Sequence, residues 1–238
     1  MEIQKLKNEL ESYKYKFELH AHTSPVSPCS QITPKRMVEA YKELGYSGVV
    51  ITNHFCDYSL DLSNTKKATD YYLKDYYDTK NEGAKVGLMV YLGLEARFPE
   101  NSNDYLVYGV TEQDVYKAIE LLKYDIKTFY KEFKTENNLI LQAHPFRNGM
   151  ELADPKYIDG VEVFNMHPNH NSRVAVAAKY ATEHNKFCIS GGTDFHHESQ
   201  QGMCATCFNK IPQDSTELAK MLQQKDFVFR LGNSIVLP

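Results

Sequence analysis

The stretch FELHAHT, residues 17–23, places two histidines two positions apart in an alternating apolar and polar pattern. Successive side chains of a β-strand point to opposite faces, so this pattern predicts a strand with both imidazoles on one face. In a packed core each ring would need its own hydrogen-bond partner, whereas in the lining of a site two neutral imidazoles can bind one metal ion. The remainder of the chain has to decide between these interpretations.

The overall composition is that of a globular protein, with 238 residues, 42 % of them hydrophobic, and a formal net charge of −4. This acidic balance argues against a protein that binds polyanions through bulk electrostatics. No apolar run of about 18 residues is present, which argues against a membrane-spanning helix and predicts no membrane partner. The charged N-terminus, residues 1–17, lacks the apolar region of a secretory signal. We therefore expect a cytoplasmic protein.

Short apolar runs alternate with longer amphipathic segments along the chain. The runs predict strands within residues 46–54, 86–98, 104–110, 138–145, 160–165 and 186–196. The amphipathic segments predict helices within residues 34–45, 68–80, 111–137 and 172–185. Strands that alternate with helices favour an α/β fold with parallel strands. Because no repeat and no Pro/Gly/Ser linker divides the chain, we expect one domain over residues 1–238.

Side chains of the types that bind metal ions follow nearly every predicted strand. They are His20, His22, His54, Glu95, His144, the residues from Glu162 to His170, Asp194 and His196. Imidazoles and carboxylates without a thiolate cage suit Zn²⁺, Mn²⁺ or Fe²⁺ in an open catalytic site. The set is too large for one ion, and a carboxylate such as Glu95 can bridge two. Two neighbouring cations can activate a bridging water and bind the oxygens of a phosphoryl group.

Six short motifs occur in a fixed order along the chain: ELHAHT (18–23), TNH (52–54), GLE (93–95), AHP (143–145), GVEVFN (160–165) and GTDFH (192–196). As an ordered set they resemble the polymerase and histidinol phosphatase (PHP) family of metal-dependent phosphoesterases. The resemblance implies a single distorted (β/α)7 TIM-like barrel with its metal site at the C-terminal ends of the strands. It also implies two or three divalent transition-metal ions, namely zinc, manganese or iron, as cofactors.

The resemblance assigns ligands to the individual ions. The first ion would take His20, His22, Glu95 and Asp194. A third ion would take His54 and His196. In the same assignment the catalytic residues are Glu95, Asp194 and His196.

The second ion would be bridged by Glu95 and completed by His144 and a residue of the segment after Glu162. Within that segment the sequence HPNH, residues 167–170, is similar to the family's H-P-S-H form, whose second histidine binds metal. This similarity favours His170 over His167 as the ligand.

Two positions depart from the family pattern. Many members carry an Asp or His shortly after the first histidine pair, and here Cys29 lies near that place, either as a thiolate ligand or as a buried thiol. The second motif often reads T-D-H, and here Asn53 replaces the carboxylate beside His54, which removes a partner outside the ligand set.

A phosphoryl substrate also needs cationic partners beyond the metal ions. Arg147 and Arg97 follow the AHP and GLE motifs closely, so both are candidates for binding the substrate phosphate, with surface ion pairs as the alternative. His197 would point away from the site if the strand before it continues, and we assign it no role.

The expected activity is metal-dependent hydrolysis of a phosphate ester, most readily a small phosphomonoester, as in histidinol phosphatases, by a metal-bridging hydroxide. A phosphodiesterase or exonuclease acting on nucleotides or nucleic acid is the alternative, and a non-catalytic metal-binding barrel is the least favoured. The expected partner is therefore a small phosphorylated substrate, with nucleic acid less favoured. The sequence makes no prediction of the oligomeric state.

Overall fold

In a computed structural model, which describes residues 9–238, strands and helices alternate along most of the chain. The strands are β1 (Tyr15–Ala21), β2 (Gly48–Ile51), β3 (His54–Phe55), β4 (Met89–Leu92), β5 (Leu94–Arg97), β6 (Asp104–Tyr108), β7 (Leu139–Gln142), β8 (Gly160–Asn165), β9 (Cys188–Gly192), β10 (Ala205–Phe208), β11 (Val228–Leu231) and β12 (Ser234–Val236). The α-helices are α1 (Pro34–Glu43), α2 (Thr65–Val86), α3 (Glu112–Leu121), α4 (Ile126–Phe133), α5 (Val174–Glu183) and α6 (Ser215–Gln223). Two short 3-10 helices cover Leu62–Asn64 and Pro155–Tyr157.

The described strands form two mixed sheets of six strands each. Their orders are β12-β11-β10-β1-β2-β4 and β3-β5-β6-β7-β8-β9. β2 leads into β3 after two residues and β4 into β5 after Gly93, so two chain segments pass from the first sheet into the second. Elsewhere an isolated parallel bridge joins Ala21 to Phe195. The α/β class is confirmed, but within residues 9–238 the hydrogen-bonded strands form no closed barrel, so the predicted (β/α)7 barrel is not confirmed.

One of the antiparallel strand pairs, β5 and β6, lies beside the predicted ligands and has a local cause. Only residues 98–103 connect these strands, too few for the crossover helix that a parallel pair requires. The two strands are therefore antiparallel, with Arg97 directly opposite Asp104. This reversal brings the first residue of β6 to the sheet edge at which β3 and β5 end.

Every predicted helical segment contains a helix; α1 and α5 are shorter than predicted, and α2 is longer than the predicted segment 68–80. Thr33 accepts a hydrogen bond from the backbone N–H of Arg36 at the start of α1, and Pro34 occupies the first turn, as the sequence indicates. The predicted segment 111–137 contains two helices, because Asp125 starts a new one by capping the N–H of Thr128. No helix among residues 9–238 is long and apolar enough to cross a membrane. The prediction about a secretory signal concerns residues 1–17, of which residues 1–8 lie outside the described part.

Strand β1, which contains most of the FELHAHT stretch, is buried on both faces. Phe17, Leu19 and Ala21 of β1 have no exposed surface and belong to one hydrophobic cluster that includes residues of both sheets and of the helices. The alternate side chains, Glu18 and His20, are fully buried as well. Because both faces are enclosed, the polar face of β1 must find its partners inside the protein.

A substitution at Gly160 tests how closely neighbouring strands pack in the second sheet. It opens β8 between β7 and β9, and a Cβ atom built on it would lie 1.8 Å from the carbonyl oxygen of Cys188. We expect Gly160→Ala to lower the free energy of unfolding by about 3 kcal/mol, measured by urea denaturation, because the strands must separate.

Gly149→Ala is the comparison variant. No heavy atom lies within 4 Å of its Cβ position, and only its φ of 86° opposes a side chain, so a loss of about 1 kcal/mol is expected. Equal losses for the two variants would contradict the proposed clash at Gly160.

Candidate metal centre

The sequence-predicted ligands lie at the edge of the sheets where the strands end. His20 lies on β1, His54 on β3 and Glu95 on β5. His144 follows β7, while Asp194 and His196 follow β9. All except His20 and His22 line a cavity of about 330 Å³, and those two rings lie directly behind it. This volume is in the range of small-ligand sites.

Glu95 occupies the middle of the cluster. Its Oε1 lies 3.0 Å from Nε2 of His20 and 3.2 Å from Nε2 of His144. Its Oε2 lies 2.8 Å from Nδ1 of His54 and 3.3 Å from Nε2 of His22. Each carboxylate oxygen therefore faces two imidazoles from different parts of the chain, which is the arrangement that a bridging ligand needs.

Asp194 is the second carboxylate that contacts the first pair of histidines. Its Oδ1 lies 3.4 Å from Nε2 of His20 and 3.4 Å from Nε2 of His22. Each of the two histidines predicted for the first ion therefore lies within contact distance of both predicted carboxylates.

Several buried atoms of the cluster make no well-aligned hydrogen bond among residues 9–238, although some of them lie close to one another. They are Nε2 of His20, Nε2 of His22, Nδ1 of His54, Nδ1 of His144 and Oε2 of Glu95. Unpaired buried polar atoms cost about 1–3 kcal/mol each, so a native structure rarely gathers them without a ligand. Three triads of donors in which all ligand atoms lie within 4.8 Å occur here: His22, His54 and His196; His20, His22 and Glu95; and His54, Glu95 and Asp104. The donor set fits divalent transition-metal ions.

The opposite nitrogens of three rings are held by protein groups. Nδ1 of His20 donates to Oε1 of Glu162 at 2.9 Å, and Nδ1 of His22 donates to Oγ of Ser27 at 3.0 Å. Nδ1 of His196 donates to the carbonyl oxygen of Asp194 at 2.9 Å. Such bonds fix the tautomer and leave Nε2 as the free ligand atom.

The charges in the cluster favour the metal-binding protonation state of Glu95 and of His22, whereas at His20 and His54 the neighbouring acidic groups outweigh burial and raise the pKa well above its usual value. Burial would raise the pKa of Glu95, but the imidazoles of His20 and His54 lower it well below its usual value. Burial, helped by the nearby rings of His196 and His54, lowers the pKa of His22 well below its usual value. An ionised carboxylate and a neutral imidazole are the forms that coordinate a cation.

Although Asn53 replaces the carboxylate of the second motif, it is hydrogen-bonded to another carboxylate, that of Asp75. Its Oδ1 accepts hydrogen bonds from the backbone N–H of Thr23 at 2.6 Å and from Oγ of Ser27 at 2.9 Å. Its Nδ2 donates to Oδ2 of Asp75 on α2 at 2.7 Å. A carboxylate from a neighbouring helix therefore lies beside the motif. Asn53 connects this carboxylate by hydrogen bonds to Thr23 and to Ser27, and Ser27 in turn bonds to His22.

Two site residues adopt the left-handed backbone conformation that non-glycine residues rarely use. His144 has a φ of 29° and Asp194 a φ of 57°. Such conformations cost about 1–3 kcal/mol each and concentrate at functional sites. Both residues present their side chains to Glu95 or its partners, so the strain accompanies their placement in the cluster.

Asp104 is a candidate ligand that the sequence analysis missed. It is 3 % exposed, and its carboxylate belongs to the triad with His54 and Glu95. Ligands were expected at the C-terminal ends of strands, whereas Asp104 is the first residue of the antiparallel strand β6. The one available signal was its acidic side chain seven residues after Arg97, at the far side of a short turn.

The two predicted phosphate-binding arginines both contact carboxylates of the site. Nη2 of Arg147 donates to Oδ2 of Asp194 at 2.6 Å and to Oδ1 of Asn165 at 2.9 Å. Arg97 donates through Nε and Nη2 to both oxygens of Asp104, each at 2.7 Å. Both guanidinium groups also line the cavity.

The segment after β8 places its histidines differently from one another. His170, predicted as a ligand, is exposed at the rim of the cavity and belongs to none of the three donor triads. His167, the alternative, is buried, and its ring centre lies 6.1 Å from that of His196. Burial lowers the pKa of His167 to about 4, so this imidazole is neutral. The choice between the two stays a prediction.

His197 lies elsewhere than expected. We expected it to point away from the site on a continuing strand, but β9 ends at Gly192 and the left-handed conformation of Asp194 turns the chain. His197 consequently lines the same cavity as His196.

Cys29 is an exposed residue of this cavity, not a buried thiol. Partial burial would raise the pKa of the thiol, but the nearby rings of His196 and His54 outweigh this effect and lower the pKa to about 6.

The sequence profile of the PHP domain family matches residues 18–233. Because the match covers nearly the whole chain, the chain belongs to the PHP domain family, as the ordered motifs predict.

Solved structures share the fold of this chain. A two-domain protein from Bacteroides vulgatus, described as containing a predicted PHP-like metal-dependent phosphoesterase, superposes with a TM-score of 0.68 at 14 % identity. The alignment covers 93 % of this chain and 66 % of that one, so this chain spans slightly less than two thirds of its length. PsfC from Pseudomonas syringae superposes with a TM-score of 0.57 at 18 % identity, covering 88 % of this chain and 93 % of that one. At these identities the likeness shows the fold alone. No curated protein matches the sequence.

The donor set generates a prediction about metal content. We expect the purified protein to retain two or three transition-metal ions per chain after dialysis in chelator-free buffer, because the candidate triads need more than one ion. Elemental analysis by mass spectrometry measures this directly. A protein without bound metal that also gains no activity from added Mn²⁺ or Zn²⁺ would contradict the assignment.

Proposed function

We propose that this protein is a metal-dependent phosphoesterase that hydrolyses a small phosphomonoester. The observation that carries the proposal is the position of Glu95, whose two oxygens each face a different pair of imidazoles beside a cavity that two arginines line. Membership of the PHP domain family and the phosphoesterase description of the Bacteroides vulgatus protein support the same reaction class.

The chain's own residues would prepare the reacting groups. Divalent ions held by this donor set supply an activated water and neutralise charge on the phosphoryl oxygens. Nη2 of Arg147 holds Asp194 and Asn165, and its Nη1 makes no hydrogen bond among residues 9–238, so this cavity-lining guanidinium can still donate to a substrate oxygen. Arg97 is committed to Asp104 through two hydrogen bonds, which makes it a positioning residue for that carboxylate.

The cavity favours a small substrate over nucleic acid. Its volume of about 330 Å³ accommodates a phosphate with a compact leaving group. Extended nucleic acid would require a basic groove, and the net charge of −4 offers no general attraction to one. A histidinol-phosphatase-like reaction on a small phosphorylated metabolite is therefore the proposed activity.

A comparison of ester types tests the substrate class. With Mn²⁺ or Zn²⁺ present, we expect para-nitrophenyl phosphate to be hydrolysed with a kcat/KM at least roughly tenfold above that for bis(para-nitrophenyl) phosphate. A labelled oligonucleotide should stay intact. Preference for the diester with shortening of the oligonucleotide would support the phosphodiesterase alternative, and no turnover of any ester would leave a metal-binding protein without this activity.

Glu95→Gln tests the bridging assignment. The substitution removes one negative charge and keeps the size of the side chain. Neighbouring cations repel, by roughly 4 kcal/mol per unit-charge pair at 4 Å and an effective dielectric of 20, and the carboxylate offsets much of this. We expect the variant to lose at least one metal ion per chain. Its kcat should fall roughly a hundredfold or more, about 3 kcal/mol in the barrier.

Glu120→Gln is the matched control, because Glu120 is exposed on α3 and remote from the site. It should keep both metal content and kcat. If Glu95→Gln behaves like Glu120→Gln in both measurements, Glu95 does not bridge two ions.

A further inference from the structure

We infer that Tyr58 selects the substrate of this site by packing against a flat aromatic ring in the leaving group of the phosphomonoester. The inference rests on the proposed function. It goes beyond that function because it names the chemical class of the leaving group and the side chain that recognises it.

Tyr58 differs in kind from the other residues of the cavity wall. Among residues 9–238, the other lining side chains are imidazoles, carboxylates, guanidinium groups, one amide and one thiol. Tyr58 is the one large apolar residue of this wall, and it is 47 % exposed. Because no aliphatic side chain of the described residues lines the cavity, an organic group beside the phosphate finds its apolar contact on the Tyr58 ring.

Contacts with two neighbours hold the Tyr58 ring in place before a substrate binds. Its centre lies 5.3 Å from the centre of the His54 ring, and the two planes meet edge to face at 61°. Cζ of Arg97 lies 5.5 Å from the centre of the tyrosine ring, within the range of a cation–π interaction. Arg97 is itself held by two hydrogen bonds to Asp104. A side chain that is already ordered loses little conformational entropy on binding, which favours its use in recognition.

The turn that carries Tyr58 is anchored beside a predicted metal ligand. Oγ of Ser59 donates to the carbonyl oxygen of His54 at 2.8 Å. The backbone N–H of Leu60 donates to the carbonyl oxygen of Cys56 at 3.0 Å, which closes the turn. Tyr58 is therefore held next to the place where the phosphoryl group would bind, within reach of the group attached to it.

Other rings at the cavity favour an aromatic partner over a saturated one. The imidazoles of His170, which is exposed, and of His197, which is half-buried, line the same cavity as Tyr58. Flat rings pack against one another in stacked or edge-to-face arrangements that contribute more than burial of the same area alone. A saturated group gains the burial contribution only. We therefore expect a preference for phosphomonoesters whose leaving group carries an aromatic ring.

Calorimetry with phosphonates that cannot be hydrolysed tests the inference without turnover. The full-length protein, loaded with Mn²⁺ or Zn²⁺, is titrated with 2-phenylethylphosphonate, 2-cyclohexylethylphosphonate and ethylphosphonate, which share the charged group and the two-carbon chain. We expect a Kd for the phenyl compound at least roughly threefold below that for the cyclohexyl compound. Tyr58→Ala should raise the Kd of the phenyl compound roughly tenfold and leave that of ethylphosphonate unchanged. Tyr58→Phe should keep the preference for the phenyl compound.

Tyr124→Ala is the matched control. Tyr124 is 46 % exposed, and Nζ of Lys123 lies 5.2 Å from its ring centre, but this tyrosine does not line the cavity. The control variant should therefore leave all three Kd values unchanged.

The possible outcomes separate this inference from the proposed function. Equal Kd values for the phenyl and cyclohexyl compounds overturn the aromatic assignment, and a phenyl preference that persists in Tyr58→Ala overturns the role of Tyr58. An equal loss of ethylphosphonate binding in Tyr58→Ala also overturns it, because the ring would then support the metal centre and not the leaving group. If the unmodified protein hydrolyses neither 2-phenylethyl phosphate nor para-nitrophenyl phosphate, the proposed function itself is wrong, whatever the phosphonates show.

Discussion

The buried carboxylate of Glu95 is the constraint on which the site depends. An ionised carboxylate with 1 % exposure loses its hydration, a cost of several kcal/mol that only close opposite charges or hydrogen bonds can offset. Here the partners are imidazoles, from β1 of the first sheet and from β3 and the end of β7 in the second. The charge is compensated only where the two sheets meet, so the centre and the packing of the sheets depend on each other.

Two further buried glutamates, Glu18 and Glu162, hold the backbone around the ligands by hydrogen bonds. Glu18 accepts hydrogen bonds from the N–H groups of His20 and Thr193 at 2.9 and 2.8 Å and from the hydroxyl of Tyr41 at 2.8 Å. Burial raises the pKa of Glu18 to about 7 despite these bonds. Glu162, besides holding His20, accepts the N–H of His144 at 3.1 Å. Acidic groups behind the ligands thus set the geometry of the strand ends that carry them.

Much of the site could be predicted from sequence because its signals are local. Alternation in β1 fixes the shared face of His20 and His22, and the ordered motifs mark the other strand ends. What could not be predicted depends on chain direction and on tertiary contacts. Asp104 reaches the site because β6 runs antiparallel, and His197 does so because the chain turns at Asp194. The reversal at β5 and β6 is one of several antiparallel pairings that distinguish the observed mixed sheets from a regular parallel barrel.

The unpartnered atoms and the left-handed residues of the centre also bear on stability. At about 1–3 kcal/mol for each, they amount to a large share of the 5–15 kcal/mol by which a typical domain is stable. A fold can retain such a cluster when a ligand binds only the folded state, because binding then raises the free energy of unfolding and offsets this cost. Metal ligands meet that condition, since the chain assembles them from strands far apart in sequence and the unfolded state offers no such site. The unpaired ligand atoms and the left-handed residues destabilise this edge of the sheets without metal. They are therefore the features that would couple cation binding to folding.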